Sequence, residues 1–283
     1  MKTYNPEKHI TVIEIQKSEI EKVDFALCKQ PRQTLKAFYD GCKTKPDIIC
    51  NGGFFNMSDG STVFNLKDED KIVSNNQQYR WGIGIVDGEL KFGCLDQINF
   101  KDFISAYPSL VEAGEAIKIT FAKEIDYKAR RTILGYNDKN IFIVAVDMPG
   151  MTFSEMQKFM IKLGCTFAIN LDGGGSTKIL GKDGKSITST LYNRAVDNVV
   201  AVYLKKIYRV QAGAFLLKSG ADKLLKQIQA LDDKIGAGYK NAYIRKIGGF
   251  YKVQIGAFSK KSGAEKVKVD LASKGINSFI TCE

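Results

Sequence analysis

The segment Tyr208-Arg209-Val210-Gln211-Ala212-Gly213-Ala214-Phe215 returns later in the chain as Tyr251-Lys252-Val253-Gln254-Ile255-Gly256-Ala257-Phe258, and each copy is followed by Lys-Ser-Gly-Ala and an acid-Lys pair. This duplication restricts the fold more than any other feature, because both copies must adopt the same local structure and bury the same face. Each copy alternates Tyr, Val and Ala or Tyr, Val and Ile and then breaks at a glycine. Beyond a serine placed to cap a helix come apolar residues at helical spacing: Leu224, Leu225, Ile228 and Leu231 in the first copy, Val267, Leu271 and Ala272 in the second. The pattern predicts a small ferredoxin-like βαββαβ domain over residues 207–283, with two helices on one face of a four-stranded sheet. Residues 205–283 carry 16 Lys+Arg against 6 Asp+Glu, nearly all of the net +11 of the 283-residue chain. What precedes is close to neutral, and the charge break coincides with the start of the repeat.

Val210, Gln211, Gly213 and Phe215, with their mates Val253, Gln254, Gly256 and Phe258, resemble the SPOR domain. The resemblance implies binding to peptidoglycan glycan strands stripped of their peptides, with Gln211, Phe215, Gln254 and Phe258 as the contact candidates. RNA-recognition modules share the βαββαβ order and would suit the basic charge. The strands here lack the glycine-aromatic run on which bases stack, so no nucleic-acid partner is expected.

A second constellation lies upstream. In Asn170-Leu171-Asp172-Gly173-Gly174-Gly175-Ser176-Thr177 an apolar run, Thr166 to Leu171, gives way to an acid and three glycines. That is the pattern of a strand ending in a site. The glycines allow positive φ and close approach of a ligand to the main chain, Ser176 and Thr177 add hydroxyls, and Asp172 offers an acid, base or nucleophile. Three further segments accompany it: Asn51-Gly52-Gly53-Phe54-Phe55-Asn56, Arg131-Thr132-Ile133-Leu134-Gly135-Tyr136 running into Ile141 to Asp147, and Asn193-Arg194-Ala195-Val196-Asp197-Asn198. Together with Gly150-Met151-Thr152-Phe153-Ser154-Glu155-Met156, they resemble the phosphodiester glycosidase family from about Pro46 to Leu204.

The resemblance implies hydrolysis of a sugar joined through phosphate, N-acetylglucosamine being the family's sugar. Such a reaction needs a carboxylate at the anomeric carbon and charge balance on the departing phosphate. Asp172 is the first candidate for base or nucleophile, with Glu155 and Asp147 in reserve. Arg131 and Arg194 can present paired donors to phosphate oxygens. Amides of Gly173, Gly174, Gly175 and the Ser176 end of the loop can add more, Gly52 and Gly53 form the second glycine pair, and Asn51 and Asn170 are placed to orient sugar hydroxyls. Asp147 and Glu155 also have plain structural readings, as a turn cap and a first-turn helix acid. The family's arginine motif commonly continues with Pro, where this chain has Ala195, and its glycine-proline loop is reduced here to Tyr107-Pro108-Ser109-Leu110-Val111-Glu112.

Composition narrows the chemistry further. The single histidine, His9, lies near one end, which excludes a Ser/His/Asp triad, a Cys/His pair and a multi-histidine metal cluster. Six cysteines stand without a CxxC pair, mostly in apolar surroundings, and read as small buried hydrophobes. No cofactor and no metal are expected. A calcium or magnesium ion beside Asp172 is the alternative, for which the sequence offers too few oxygen ligands at regular spacing. The first residues lack the apolar core of a signal peptide and no run approaches a membrane span, so membrane insertion is not expected.

For residues 1–205 the strand-rich pattern predicts an α+β catalytic domain with a mixed sheet and its site at the glycine-bearing strand ends. The expectation for the whole is a cell-wall hydrolase synthesised in the cytoplasm, acting at peptidoglycan after release as a phage or sporulation enzyme. The alternatives are a non-catalytic binder of phosphorylated glycan and a basic nucleic-acid-binding protein.

Overall fold

The computed structural model describes residues 1–29, 31–118, 126–188 and 192–282. The chain divides into two compact units, Met1–Leu204 and Lys205–Glu283, and the α+β class is the one that the sequence predicts. Among the described residues every strand pairing is antiparallel, so the α+β class stands but the sheets are not of the mixed kind expected for residues 1–205. No helix among them is long and apolar enough to cross a membrane.

Among the described residues the first unit contains three sheets. The largest has seven strands in the order Lys2–Glu7, Ile10–Gln16, Asn140–Met151, Ala129–Tyr136, Phe167–Asn170, Ser109–Glu112, Glu115–Ala116. A four-stranded sheet runs Ile179–Gly181, Ile48–Asn51, Asn198–Leu204, Ile20–Leu27, and a five-stranded sheet runs Lys71–Ser74, Leu66–Asp68, Phe103–Ser105, Trp81–Val86, Glu89–Cys94.

Side-chain alternation explains the layering. Leu134, Ile143 and Ile169 face a shared core with Phe25, Cys50 and Val200 of the second sheet and Leu66, Ile83 and Ile104 of the third. Their neighbours Ile133, Val144 and Ala168 face the other way, onto Phe153, Met156 and Met160 of the helix Phe153–Lys162. In the four-stranded sheet Ile48 and Cys50 join the shared core, whereas Ile49 packs on Leu35 and Tyr39 of the helix Leu35–Gly41. Central strands covered on both faces read as continuous apolar runs, which is the pattern of Ile48–Asn51 and of Ile141 to Val146.

Local chemistry sets the element ends. Thr34 accepts from the Ala37 amide at 3.1 Å and starts the first helix. Thr152 and Glu155 form a reciprocal capping box on the second. Asp87 and Gly88, at φ 52° and 81°, make the two-residue turn of the hairpin that begins at Trp81. The strand Asn140–Met151 runs on past Asp147, because pairing resumes beyond a bulge, with Arg131 opposite Val146 and then Ala129 opposite Met151.

In the second unit the sheet order is Tyr243–Ile247, Phe250–Phe258, Tyr208–Phe215, Phe279–Cys282, with the helices Lys218–Gln229 and Lys261–Ser273 packed through Ile228, Val267 and Leu271 on Val210, Val253 and Ile255. The serines expected to cap these helices do not do so. The helices start earlier, with Leu217 and Lys260 at their N-caps and no side-chain cap bond. The reason lies in the repeated Phe and Gly. A Cβ at Gly213 would lie 2.7 Å from the Phe215 ring and one at Gly220 2.9 Å from it; at Gly256 and Gly263 the distances to Phe258 would be 2.2 and 3.0 Å. Each phenyl ring is therefore clamped between a strand glycine and a first-turn helix glycine, which brings Lys-Ser-Gly-Ala inside the helix.

Candidate active site

The site forms where the ends of the seven-stranded and four-stranded sheets meet. Asn51, the last residue of its strand, is fully buried and ties the two sheets together. Its Oδ1 accepts from Thr132 Oγ1 at 2.8 Å and from the Lys178 amide at 3.3 Å, while its Nδ2 donates to the Asp172 carbonyl at 2.7 Å. The Asp172 amide in turn donates to the Gly52 carbonyl at 3.0 Å. Asn51 thus positions Asp172, and its polar atoms are engaged by protein, not turned to a sugar.

The glycines have separable reasons. Gly52 donates to the Asn198 carbonyl at 2.9 Å and Gly53 to Asn198 Oδ1 at 2.6 Å. A Cβ at Gly52 would fall 2.0 Å from Asn198 Oδ1. This pair lets Asn198 approach the main chain, and both amides are already occupied. Gly173 passes the Arg130 carbonyl so closely that a Cβ would sit 2.4 Å away, Gly174 takes φ +60°, and Gly175 lies under the Arg194 guanidinium, 2.7 Å from a would-be Cβ to Nη2.

Asp172 Oδ1 accepts from the Gly173 amide at 2.8 Å. Desolvation by the surrounding protein raises its carboxyl above the ordinary range, opposed by Ser176, the Gly173 amide and the Arg194 charge. Ser176 Oγ, Thr177 Oγ1 and Asn170 Oδ1 are buried polar atoms that have no hydrogen-bond partner among the described residues. Such atoms are costly to leave unpaired, and these three belong to residues that bracket Asp172 in the sequence.

Cationic side chains gather around Tyr192 and Asn193, and the charge of the neighbouring Arg194 acts on this carboxyl. Arg194 is exposed above Gly175. Lys178 Nζ donates to the Tyr192 carbonyl at 3.1 Å and Asn193 Oδ1 at 3.2 Å. Arg130 Nε donates to Asp147 Oδ1 at 2.5 Å, with its guanidinium 4.4 Å from the centre of the Tyr192 ring.

Of the residues singled out from sequence, the structure brings together Asn51, Gly52, Gly53, Asp172, Gly173, Gly174, Gly175, Ser176 and Arg194. Asn170 is buried beside them, its Nδ2 on the Tyr107 carbonyl at 2.8 Å. Asp147 stands at the edge, held by Arg130 and by the Met148 amide at 2.8 Å.

Arg131 and Glu155 lie elsewhere. Arg131 is buried on the helix-facing side of its strand, donating to the Met151 carbonyl at 3.2 Å and the Tyr127 carbonyl at 2.9 Å, with its guanidinium 4.2 Å from the centre of the Phe153 ring. Strand parity is the cause: Arg131 shares the Ile133 face, whereas Thr132 shares the Leu134 face and reaches Asn51. Glu155 accepts from the Thr152 amide at 2.9 Å and pairs with Lys128 at 3.1 Å. Those contacts hold its carboxyl below the usual range and suit it to helix capping.

Sequence reasoning missed Arg130, Lys178, Thr132 and Asn198 as site residues. Period-two alternation from Leu134 back through Thr132 to Arg130 was the available signal. Buried Cys28, Cys50 and Cys165 have thiols pushed up to about 12, which removes thiolate chemistry at these positions.

Residues 39–203 match the family described as phosphodiester glycosidase, and residues 204–281 match the SPOR domain. N-acetylglucosamine-1-phosphodiester alpha-N-acetylglucosaminidase of Mus musculus is 30% identical over 164 residues, covering 48% of this chain and 31% of the relative. The Homo sapiens protein of the same name is 27% identical over 158 residues, covering 46% and 30%. This chain thus matches about a third of the length of those relatives. Among solved structures, the zebrafish N-acetylglucosamine-1-phosphodiester alpha-N-acetylglucosaminidase catalytic domain, auto-inhibited by its pro-peptide, superposes with a TM-score of 0.57 at 21% identity, covering 71% of this chain and 85% of that one. A hypothetical protein from Synechocystis gives 0.60 at 14% identity, covering 72% and 61%. At these identities the superpositions establish the fold.

Proposed function

The chain belongs to the phosphodiester glycosidase family through residues 39–203, and from that premise we propose that it is a hydrolase that releases a sugar from a sugar 1-phosphodiester and is held on peptidoglycan by its C-terminal unit. The observation that carries this reading is the geometry around Asp172, whose Oδ1 accepts from the Gly173 amide at 2.8 Å where the glycine loop passes under the Arg194 guanidinium. A carboxyl raised by burial is a stronger base than a solvated one.

In the proposed reaction Asp172 takes a proton from water as the water oxygen bonds to the anomeric carbon. The bond from that carbon to the phosphate oxygen breaks, and its electrons leave with the phosphate. Phosphate departs as an anion without needing protonation, so Arg194 supplies the main stabilisation, its guanidinium matching two phosphate oxygens. Asp147 keeps Arg130 oriented.

In the C-terminal unit Gln211 lies directly opposite Gln254, and the row continues to Tyr243 on one side and Phe279 on the other. Gln211 Oε1 is buried without a hydrogen-bond partner among the described residues. This row is the proposed glycan contact. Phe215 and Phe258, grouped with the glutamines from sequence, serve the strand–helix clamps instead.

The test is sugar release from a soluble sugar 1-phosphodiester. Asp172→Asn is expected to lower kcat by ~100- to 10,000-fold with the fold intact. A loss below tenfold would remove Asp172 from the chemistry, and no release by the wild-type chain from any member of a panel of sugars would leave a binding protein.

A further inference from the structure

Beside the site lies a cavity of about 410 Å³ that the proposed hydrolysis does not use, lined in part by Tyr79, Trp81, Phe92 and Tyr107. Trp81 is 48% exposed and Tyr107 37%, so two large aromatic faces meet solvent in one groove. They are not loose. Trp81 packs on Phe92 at 5.6 Å between ring centres, Phe92 stacks on Phe167 at 5.2 Å, and Phe167 stacks on Tyr136 at 5.3 Å. Tyr107 meets Tyr79 edge-on at 5.3 Å. The outer rings are thus held by rows of rings that run into the core, and ordering them on binding has little entropic cost.

The groove adjoins the candidate active site. The Tyr107 and Pro108 carbonyls accept from Asn170 Nδ2 at 2.8 Å and from the Asn170 amide at 3.0 Å, two residues from Asp172. The same segment reaches the other glycine motif, since a Cβ at Gly53 would lie 3.3 Å from the Ser105 carbonyl. Among the described residues its charges balance: Arg80 is ion-paired with Asp96, which leaves Lys118 and Glu112, one of each sign. Polyanions find no net attraction there. Exposed, rigid aromatic faces with a balanced polar border suit the flat C–H face of a neutral pyranose, whose hydroxyls reach the border.

We propose that this groove is a saccharide subsite that holds a neutral pyranose of a glycan chain extending from the scissile phosphodiester, so that the substrate is an oligosaccharide or polymer instead of a single sugar phosphodiester. The proposal rests on the hydrolase reading for the word substrate, but its binding arm does not.

Trp81 is the chain's one tryptophan, so its emission reports this groove alone. Titrating the full chain with neutral tetramers of N-acetylglucosamine, glucose and mannose is expected to give a saturable change in emission with at least one of them. Tyr107→Ala, which keeps the reporter, is expected to weaken that binding roughly tenfold. In kinetics, Trp81→Ala is expected to raise KM about tenfold on a phosphodiester bearing an oligosaccharide while leaving kcat unchanged. KM on a single-sugar phosphodiester stays at the wild-type value, and Trp81→Phe restores most of the loss. Silence of the emission towards all three tetramers overturns the subsite, as does an equal KM change on short and long substrates. Because the tetramers contain no phosphodiester, the titration stands whether or not hydrolysis is found, and hydrolysis of the short substrate with silent emission removes the groove proposal alone.

Discussion

Replacing Gly173, Gly174 and Gly175 one at a time by alanine should give three different phenotypes from three adjacent positions. At Gly173 the new Cβ meets the Arg130 carbonyl, part of a paired strand, at 2.4 Å. Backbone must move, and overpacking of this kind costs about 1–3 kcal/mol. At about 2–4 °C per kcal/mol for a unit of this size, Tm falls by about 2–12 °C. At Gly174 nothing lies within 4 Å, but φ is +60°. An L residue there costs about 1–2 kcal/mol, and asparagine, which tolerates the left-handed region, should recover part of it at this position and not at Gly173.

Gly175→Ala differs in kind. Its Cβ would lie 2.7, 2.8 and 3.0 Å from the three nearest guanidinium atoms of Arg194, short of the 3.4 Å at which ordinary contact begins. The arginine end is flexible, so it gives way by roughly half an ångström to an ångström with Tm shifted by no more than about 1 °C, while misplacement on that scale costs catalysis ~10- to 100-fold. Thermal unfolding and sugar release from a soluble phosphodiester, measured on the same preparations, separate the three. In an Arg194→Ala background the Gly175→Ala change should have no further effect. Gly175→Ala with activity within twofold of wild type, or a full additional loss in the double variant, would refute the role given to Arg194.

Three other outcomes follow from the geometry. Burial raises the Asp172 carboxyl above its ordinary 3.8, so its contribution to stability is fully present below that pH and is lost as pH rises through the folded-state value. Asp172→Asn should therefore unfold at a higher temperature than wild type at pH 7, and the gap should close towards pH 3.5. Arg194→Lys keeps the charge but loses the paired donors, and kcat should drop at least tenfold with Tm unchanged; full activity would make the arginine structural. The isolated residues 205–283 should fold alone and pellet with glycan stripped of peptides even at 1 M salt, where the Debye length is ~3 Å, and binding lost at that salt would point to charge attraction alone.

The octapeptide ending in three glycines and the doubled Tyr-to-Phe segment were legible because each compresses its constraint into consecutive residues. Asp172 could be picked out from its neighbours alone, and the two helices of the C-terminal unit from apolar spacing. Arg131 was a natural choice by type, yet its direction depends on strand parity near a bulge, and its neighbour Arg130 took the site-facing place. Asn51 could be seen as polar at a strand end, but its tie to Asp172 spans 121 residues of sequence, which no local pattern records. Phe215 and Phe258 illustrate the reverse case, a repeat whose recurrence reflects the joint between strand and helix.

That tie between Asn51 and Asp172 also bears on when the protein becomes competent. The Gly52 carbonyl that receives the Asp172 amide is itself held through Asn198, by the Gly52 amide on its carbonyl and the Gly53 amide on its Oδ1. A nascent chain that has emerged as far as the three glycines has the acid but lacks the strand that anchors its seat. Only after Asn198–Leu204 has been synthesised and has inserted between Ile48–Asn51 and Ile20–Leu27 does the carboxyl acquire its desolvated surroundings. The order of synthesis therefore delays completion of the Asp172 seat to the last strand of the unit, and a product ending before Asn198 lacks the residue that holds Gly52 and Gly53.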